Sequence, residues 1–298
     1  MSLRIFYHPL YSSLTLPERH RFPLAKYQGL FERLQVQGYP LSEAPAATCE
    51  QICRIHDADY VAAALSGQLE ERAIRKIGFP WSPMLMERTL RSVGATIAAS
   101  RYALEQGCGL QISGGYHHAH RAHGSGFCLF NDLVIAAQAC LDEGRCEQVL
   151  IVDLDVHQGD GSAALCAERR DIITLSLHGE HNFPYNKTTS HLDFPLPSGM
   201  ADDAYLTTLQ QALSLALRLY SPDLILYQAG VDVHHADEHG YLSLSDEGVR
   251  LRDAMVFDCA IKHGLPIAAM PGGGYRRDWQ QLIPLHMSLF ETARHRFG

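Results

Sequence analysis

The sequence predicts a three-layer α/β domain on a parallel sheet, and three observations lead there. Short apolar, β-branched runs alternate with longer helical stretches over most of the 298 residues, the pattern of βα units. Several of these runs are continuously apolar, as parallel strands covered on both faces must be. Four of them are followed at once by reactive side chains, and the carboxyl ends of strands are where an open parallel sheet binds its ligands. A hydrophobic content of 46% fills a sizeable core. With no repeat, low-complexity tract or linker in view, residues 1–298 read as one domain.

Strands are expected at Arg4–Tyr7, Gly109–Ile112, Val149–Leu154, Ile172–Leu177, Leu224–Gln228 and Pro266–Met270. Helices are expected at Lys26–Gln37, Ala58–Ser66, Leu85–Glu105, Asp132–Glu143, Gly161–Ala167, Asp202–Leu219 and Asp246–His263. The helix from Asp202 opens with acids in its first turn, which suits the positive end of a helix dipole. Cys49 and Cys53, four residues apart, read as helical neighbours. Gly78-Phe-Pro-Trp-Ser-Pro83 is a rigid loop before a long helix. The polar stretch from Leu177 to Ala201 is too long for a plain connector and is expected to form a loop at the mouth of a site.

The net charge of -8 argues against a dedicated nucleic-acid binder and against adhesion to anionic membranes. Basic substrates remain compatible with it. No apolar run reaches the length of a membrane span, and Met1–His8 lacks the charged-then-apolar order of a signal peptide. The eight cysteines are scattered, with no Cys-x-x-Cys pair, as expected of reduced thiols in the cytoplasm.

In Asp153-Leu-Asp155-Val-His157 alternate side chains share one face if the strand stays extended. Asp155 and His157 then reach one metal, with Asp153 beneath them. Asp232, past the Leu224–Gln228 run, is the third candidate ligand. Oxygen and nitrogen donors suit Zn²⁺ and other divalent ions, and three protein ligands leave room for water and substrate. Taken alone, such acids more often cap helices. His117 and His118 follow Gly114-Gly115 and sit just past a buried strand. A buried His needs its second ring nitrogen satisfied, and Asp153 and Asp160 are available. A His–Asp pair beside a metal-held water is equipment for a general base. Tyr275 after Gly272-Gly-Gly274 suits packing, or donation to a developing oxyanion.

Gly114-Gly-Tyr-His-His-Ala119, Gly126-Phe-Cys-Leu-Phe-Asn-Asp132, Asp153-Leu-Asp-Val-His-Gln-Gly-Asp-Gly161, Gln228-Ala-Gly-Val-Asp232 and Gly272-Gly-Gly-Tyr275 together resemble the histone deacetylase superfamily. The motifs and their spacing span most of the chain. Tyr7-His-Pro-Leu-Tyr11, His20-Arg-Phe-Pro-Leu-Ala-Lys-Tyr27 and Gly78-Phe-Pro80 look like class IV and its bacterial relatives. The resemblance implies the arginase/deacetylase fold, α/β/α with a central parallel sheet of about eight strands. It implies one zinc on Asp155, His157 and Asp232, and hydrolysis of an acyl-lysine amide, acetyl or longer, by metal-activated water. His118 would be general base and then acid, oriented by Asp160. His117, oriented by Asp153, would be its electrostatic partner, and Tyr275 the oxyanion donor. A structural potassium ion would sit on Asp153, Asp155, His157, Ser176 and Leu177, partly through backbone carbonyls.

The same resemblance places Phe127 and Phe183 along the acyl-lysine stem, where two aromatic faces grip a methylene chain, with Gly126 and His239 beside them. His239 stands where many relatives carry Leu or Met and polyamine deacetylases carry Glu, which weakens a polyamine reading. Tyr116 also departs from the Trp or Pro-Gly of some branches. The alternatives are a small-molecule amidohydrolase such as an acetylpolyamine deacetylase, a binuclear manganese ureohydrolase and an inactive binding module. The substrate is expected to be an acyl-lysine protein or peptide, or a small acylated amine, without direct contact to nucleic acid. Zn²⁺ and Fe²⁺ accept similar ligands, so both stay open for the metal.

Overall fold

The strands of the computed structural model, which describes residues 2–298, are β1 (Ser2–Tyr7), β2 (Leu41–Glu43), β3 (Gly107–Gln111), β4 (Val149–Asp153), β5 (Ile172–Gly179), β6 (Leu192–Leu196), β7 (Leu224–Gln228) and β8 (Ile267–Met270). They pair side by side in the order β2-β1-β3-β8-β7-β4-β5-β6, and every pairing is parallel. β4, β5, β7 and β8 are buried at every residue, which is why their sequences read as unbroken apolar runs.

The helices are α1 (Lys26–Val36), α2 (Cys49–Cys53), α3 (Ala58–Ser66), α4 (Glu71–Ile77), α5 (Pro83–Gln106), α6 (Asp132–Asp142), α7 (Asp160–Cys166), α8 (Asp202–Leu219), α9 (Asp246–Lys262) and α10 (Leu282–Phe297). They pack in two rows, α5-α6-α7 and α1-α10-α9-α8. With the sheet, they make the three-layer α/β/α arrangement of the arginase/deacetylase fold. The starts of these helices are encoded locally. Ser82 accepts the Leu85 amide at 3.1 Å with Pro83 in the first turn, and Asn131 accepts the Val134 amide at 3.1 Å. Among the described residues, no helix is long and apolar enough to cross a membrane.

The seven expected helices and six expected strands are present within one or two residues of their expected ends. Two strands escaped the sequence reading. β2 has three residues, too few to show a period. β6 lies inside the stretch expected to be loop from Leu177 to Ala201. There β5 runs on to Gly179, and Leu192–Leu196 adds an outer strand to it. β6 is half-exposed and contains Pro195, which an edge strand tolerates and a central one does not. α4 and α10 were also unread. α10 carries Pro284, His286 and three basic residues that interrupt an apolar stripe, although most of the helix is buried.

α5 runs against the sheet with almost no clearance at β3. A Cβ built on Gly109 would stand 2.0 Å from the Ala99 carbonyl oxygen, a backbone atom that cannot step aside alone. Gly109→Ala should therefore destabilise the protein by about 2 kcal/mol, as overpacking does in tight cores, seen as a lower midpoint in urea unfolding. An unchanged midpoint would mean that α5 and β3 adjust freely.

Candidate active site

The four reactive stretches follow β3, β8, β7 and β4, which are consecutive neighbours at the middle of the sheet. Residues far apart in sequence are thereby brought to one crevice at the strand ends. Register sets their level: Asp153, the last residue of β4, pairs with Ser176 on one side and Gln228 on the other.

Asp155, His157 and Asp232 converge so that one ligand atom from each lies within 4.8 Å of the others. His157 Nδ1 is 2.9 Å from Asp155 Oδ1 and 3.3 Å from Asp232 Oδ2. The outer oxygens of the carboxylates are held by the fold. Gln228 Nε2 and the Gly273 amide donate to Asp155 Oδ2 at 2.7 and 3.0 Å, and the Val156 amide donates to Asp232 Oδ1 at 2.9 Å. Asp232 Oδ2 is buried and makes no hydrogen bond. A buried anionic oxygen left without a donor is costly, and a divalent cation among the three side chains would satisfy it. The two oxygens and one nitrogen are a donor set that Zn²⁺ accepts, with a coordination position to spare. The residues present therefore fit such an ion.

The titration of the cluster reflects the same crowding of charge, with the His157 imidazole as its internal counter-charge. Burial and the facing Asp155 carboxylate push Asp232 up to about 6. Asp155 is driven well below its usual range, since the His117 charge and the His157 hydrogen bond outweigh its burial. Burial would lower His157, but the two carboxylates raise it to about 10. Two buried acids this close resist joint ionisation unless a positive charge lies between them.

Beside the cluster stand two His–Asp pairs. His117 Nδ1 is 2.7 Å from Asp153 Oδ2, and His118 Nδ1 is 2.6 Å from Asp160 Oδ1. The imidazoles are 4.0 Å apart between ring centres, yet they titrate in opposite directions. His117 is raised to about 9, because the Asp153 and Asp155 carboxylates outweigh its burial. His118 is lowered to about 4, because burial and the neighbouring His117 charge outweigh Asp160. Of this adjacent pair, His117 thus favours the charged form near pH 7 and His118 the neutral one. Asp160 Oδ2 also binds His120 Nε2 at 3.0 Å, and these contacts hold its carboxyl well below the usual range despite burial.

Tyr275 is turned into the site by its backbone. Its amide donates to Asp237 Oδ2 at 2.7 Å, and its carbonyl accepts from the Glu238 amide at 3.0 Å. Burial and the nearby Asp155 and Asp232 push its hydroxyl well above its usual value, so it remains a proton donor. The preceding turn must be glycine: a Cβ on Gly273 would lie 2.0 Å from Asp232 Oδ2.

A pocket of about 340 Å³ opens above these groups. Its walls include His118, His157, Tyr275, Phe127, Phe183 and His239, with Gly126 beside Phe127. The Phe127 ring centre is 6.0 Å from that of Tyr275, and Phe183 meets the His118 ring edge-on at 4.9 Å. Phe127 has φ +66, a conformation costing on the order of 1 kcal/mol for an L residue. Its amide, bonded to the Ile77 carbonyl at 2.8 Å, helps to hold it there. Arg21 and Lys76 stand in the wall, and no carboxylate does.

The expected ligands, His pair, Tyr275 and pocket residues thus lie together. The expected potassium residues also fall together through strand register, with Asp153 level with Ser176 and Leu177 next along β5. Several supporting residues had no role assigned from sequence. Asp132 accepts the Gly115 and Tyr116 amides at 3.1 and 2.6 Å and so holds the loop bearing the His pair. Gln228, Asp237 and His120 hold Asp155, Tyr275 and Asp160 respectively. Lys26 is buried with Nζ 3.1 Å from the Gly272 carbonyl, and burial lowers it to about 8. Asp132, Gln228 and Lys26 all lay inside the quoted motifs, and that was the available signal. Asp237 and His120 carried none.

A family model for the histone deacetylase domain matches residues 20–287. An uncharacterized protein of Picosynechococcus is 40% identical over 300 residues, covering 99% of each chain. A histone deacetylase-like amidohydrolase of Pseudomonas aeruginosa is 31% identical over 85% of this chain and 69% of its own. Histone deacetylase 2 of Arabidopsis thaliana is 27% identical over 91% and 74%. On the match across the domain model and these relatives, the chain belongs to the histone deacetylase family and is a deacetylase hydrolase.

Proposed function

We propose that the protein hydrolyses the side-chain amide of acyl-lysine, acetyl or longer, in proteins or peptides, with zinc held by Asp155, His157 and Asp232. The observation that carries this reading is a pocket walled by Phe127 and Phe183 that reaches His157 of the three-donor cluster, with His118 and Tyr275 in the same wall. The ion would supply a Lewis acid and an activated water. His118, neutral and fixed through Nδ1, leaves Nε2 to take the proton of the attacking water and then to give it to the departing lysine amine as the C–N bond breaks. His117 adds fixed positive charge, and the Tyr275 hydroxyl donates to the carbonyl oxygen as negative charge develops there. Phe127 and Phe183 would grip the lysine methylenes, with Gly126 and His239 completing the wall.

A structural potassium ion on Asp153, Asp155, His157, Ser176 and Leu177 belongs to the same proposal, supported by the register that sets Asp153 level with Ser176. We take 1–298 as a single deacetylase domain, one apolar core running from Leu3 to Phe297. Its eight unpaired cysteines suit the reducing cytoplasm. An acetylpolyamine substrate is disfavoured, because a polycation would enter a pocket walled by Arg21 and Lys76 with no acid to receive it.

The defining experiment measures kcat/KM of zinc-loaded protein on one peptide carrying acetyl-, octanoyl- or myristoyl-lysine, with an acetylated polyamine alongside. Turnover of the polyamine alone would overturn the acyl-lysine reading. Tyr275→Phe should keep stoichiometric metal yet lose about 10² to 10³ in turnover, as for loss of an oxyanion donor; near-normal rates would reduce Tyr275 to packing. Asp232→Asn should abolish metal binding by elemental analysis. It should also remove the thermal shift that added zinc gives the wild type, because the ligand-linked stabilisation disappears. Retained stoichiometric zinc would remove Asp232 from the ligand set.

The pH profile supplies a further check. A neutral base works above its pKa and is lost as pH falls through it, so the acid limb governed by His118 should lie below the ordinary histidine value of 6.5. Asp160 raises the His118 pKa, so Asp160→Asn should move that limb to lower pH and reduce kcat about 10- to 100-fold. A limb that moves to higher pH would assign the base elsewhere.

A further inference from the structure

The catalytic pocket is continuous with a second, larger hollow. This groove of about 860 Å³ shares Arg21, His239 and Tyr275 with the pocket. The segment Glu18–Ala25 forms one side, and residues after the glycine turn, from Tyr275 to Trp279, help form the other. In a protein of net charge -8, the lining carries four arginines, Arg19, Arg21, Arg276 and Arg277, against two glutamates, Glu18 and Glu238. One glutamate is engaged already: Glu238 accepts the Arg277 amide at 2.7 Å and stands 3.7 Å from its guanidinium.

The arginines differ in how free they are. Arg19 and Arg21 are exposed and make no ion pair among the described residues. Arg276 is half-buried, its guanidinium fixed by His234 Nδ1 and by Gln281 Oε1 at 3.2 Å. His234 is in turn anchored on Asp246 at 2.7 Å. Arg276 Nε is buried and has no hydrogen-bond partner. Its nitrogens are thus engaged or enclosed, so Arg276 gives the groove fixed positive charge, while the exposed Arg19 and Arg21 can meet a carboxylate in paired hydrogen bonds.

We propose that this groove receives acidic side chains flanking the acylated lysine, so that the enzyme prefers acyl-lysine in aspartate- or glutamate-rich polypeptide. The inference rests on the acyl-lysine reading above. With the lysine stem between Phe127 and Phe183, the substrate backbone lies at the mouth, and its neighbours on one side extend over the groove. Carboxylates there meet Arg21 and Arg19 first, and Arg276 nearer the tyrosine. Lys76, in the pocket wall and also without an ion pair among the described residues, adds to the attraction. Charges at a rim act on encounter and on selection among partners more than on tightness, so the effect belongs in kcat/KM and weakens with salt.

The test compares peptides of equal length in which acetyl-lysine is flanked, on either side, by glutamate, glutamine or lysine. A fourth peptide ends in acetyl-lysine with a free carboxylate. Zinc-loaded wild type should favour glutamate over glutamine by about tenfold at low salt, with lysine last and the spread narrowing at high salt. In the doubly reversed variant Arg19→Glu/Arg21→Glu the order should invert. Each preference is a ratio within one preparation, so a partial loss of folded enzyme cancels. Equal kcat/KM for the three flanking sets, with turnover intact, would overturn the groove assignment and leave the deacylase reading standing. Preference for the free-carboxylate peptide alone would also overturn it, since the groove would then read a chain end. No turnover of any acyl-lysine peptide would overturn the deacylase reading and this inference with it.

Discussion

Two buried carboxylates that face one another govern the rest of this structure. Asp155 and Asp232 are fully enclosed, and only donors supplied by the fold make their burial tolerable. Gln228 can hold Asp155 because its own amide oxygen is fixed by the Gly230 amide at 2.7 Å. The Gly273 amide reaches the same oxygen because the glycine turn brings backbone where no side chain fits. Behind the β7 turn, Arg252 is paired with Asp253 at 2.8 Å and donates to the Gly230 and Ala229 carbonyls. That buried pair fixes the chain leading into Asp232. Each donor satisfies one outer oxygen, and the remaining charge converges on one point. The gathering of negative charge at one point is therefore a property of the packing.

The two His–Asp pairs are alike in bond length, and their surroundings make them different. His117 has Asp155 4.0 Å from its Nε2 in addition to Asp153 on the other nitrogen. Negative charge on both sides keeps it protonated. His118 has one acid, Asp160, and that acid is shared with His120. It also lies against the charged ring of His117. Identical side chains, adjacent in sequence, are thereby given opposite titration by the distribution of carboxylates around them. Moving one acid would alter both, since each ring is part of the other's field.

Much of this was legible in the sequence because parallel sheets leave strong traces. β4, β5, β7 and β8 are buried on both faces, so their apolar runs announce them, and the residues just past β4, β7 and β8 are the ones facing the crevice. Asp155, His157, Asp232 and Tyr275 could be named for that reason. Elements outside the buried centre left no such trace: β2 is short, and β6 lies at the edge with a proline. Asp237 and His120 were illegible for another reason. Each acts on the backbone or carboxylate of a residue far away in sequence, and nothing in local pattern reports such a contact. Asp132 could be quoted within a motif, but its role as the anchor of the Gly115–Tyr116 amides depends on α6 starting beneath that loop.

Charge in the site changes sign with depth, and this ordering constrains what can enter. The floor gathers acids around the place for a cation, while the mouth presents Arg21 and Lys76 with no acid in the pocket wall. A free lysine amine would meet the same two cations on entry and would leave water for an aromatic channel without a counter-charge. On the proposed acyl-lysine reading, acylation would remove that charge, so the neutral amide would pass between Phe127 and Phe183 where the ammonium is opposed. On the same reading, the amine freed by cleavage would take up a proton and be disfavoured beside His117. Discrimination between such a substrate and its product would then need no dedicated residue, because it would follow from neutral against charged among buried aromatic side chains.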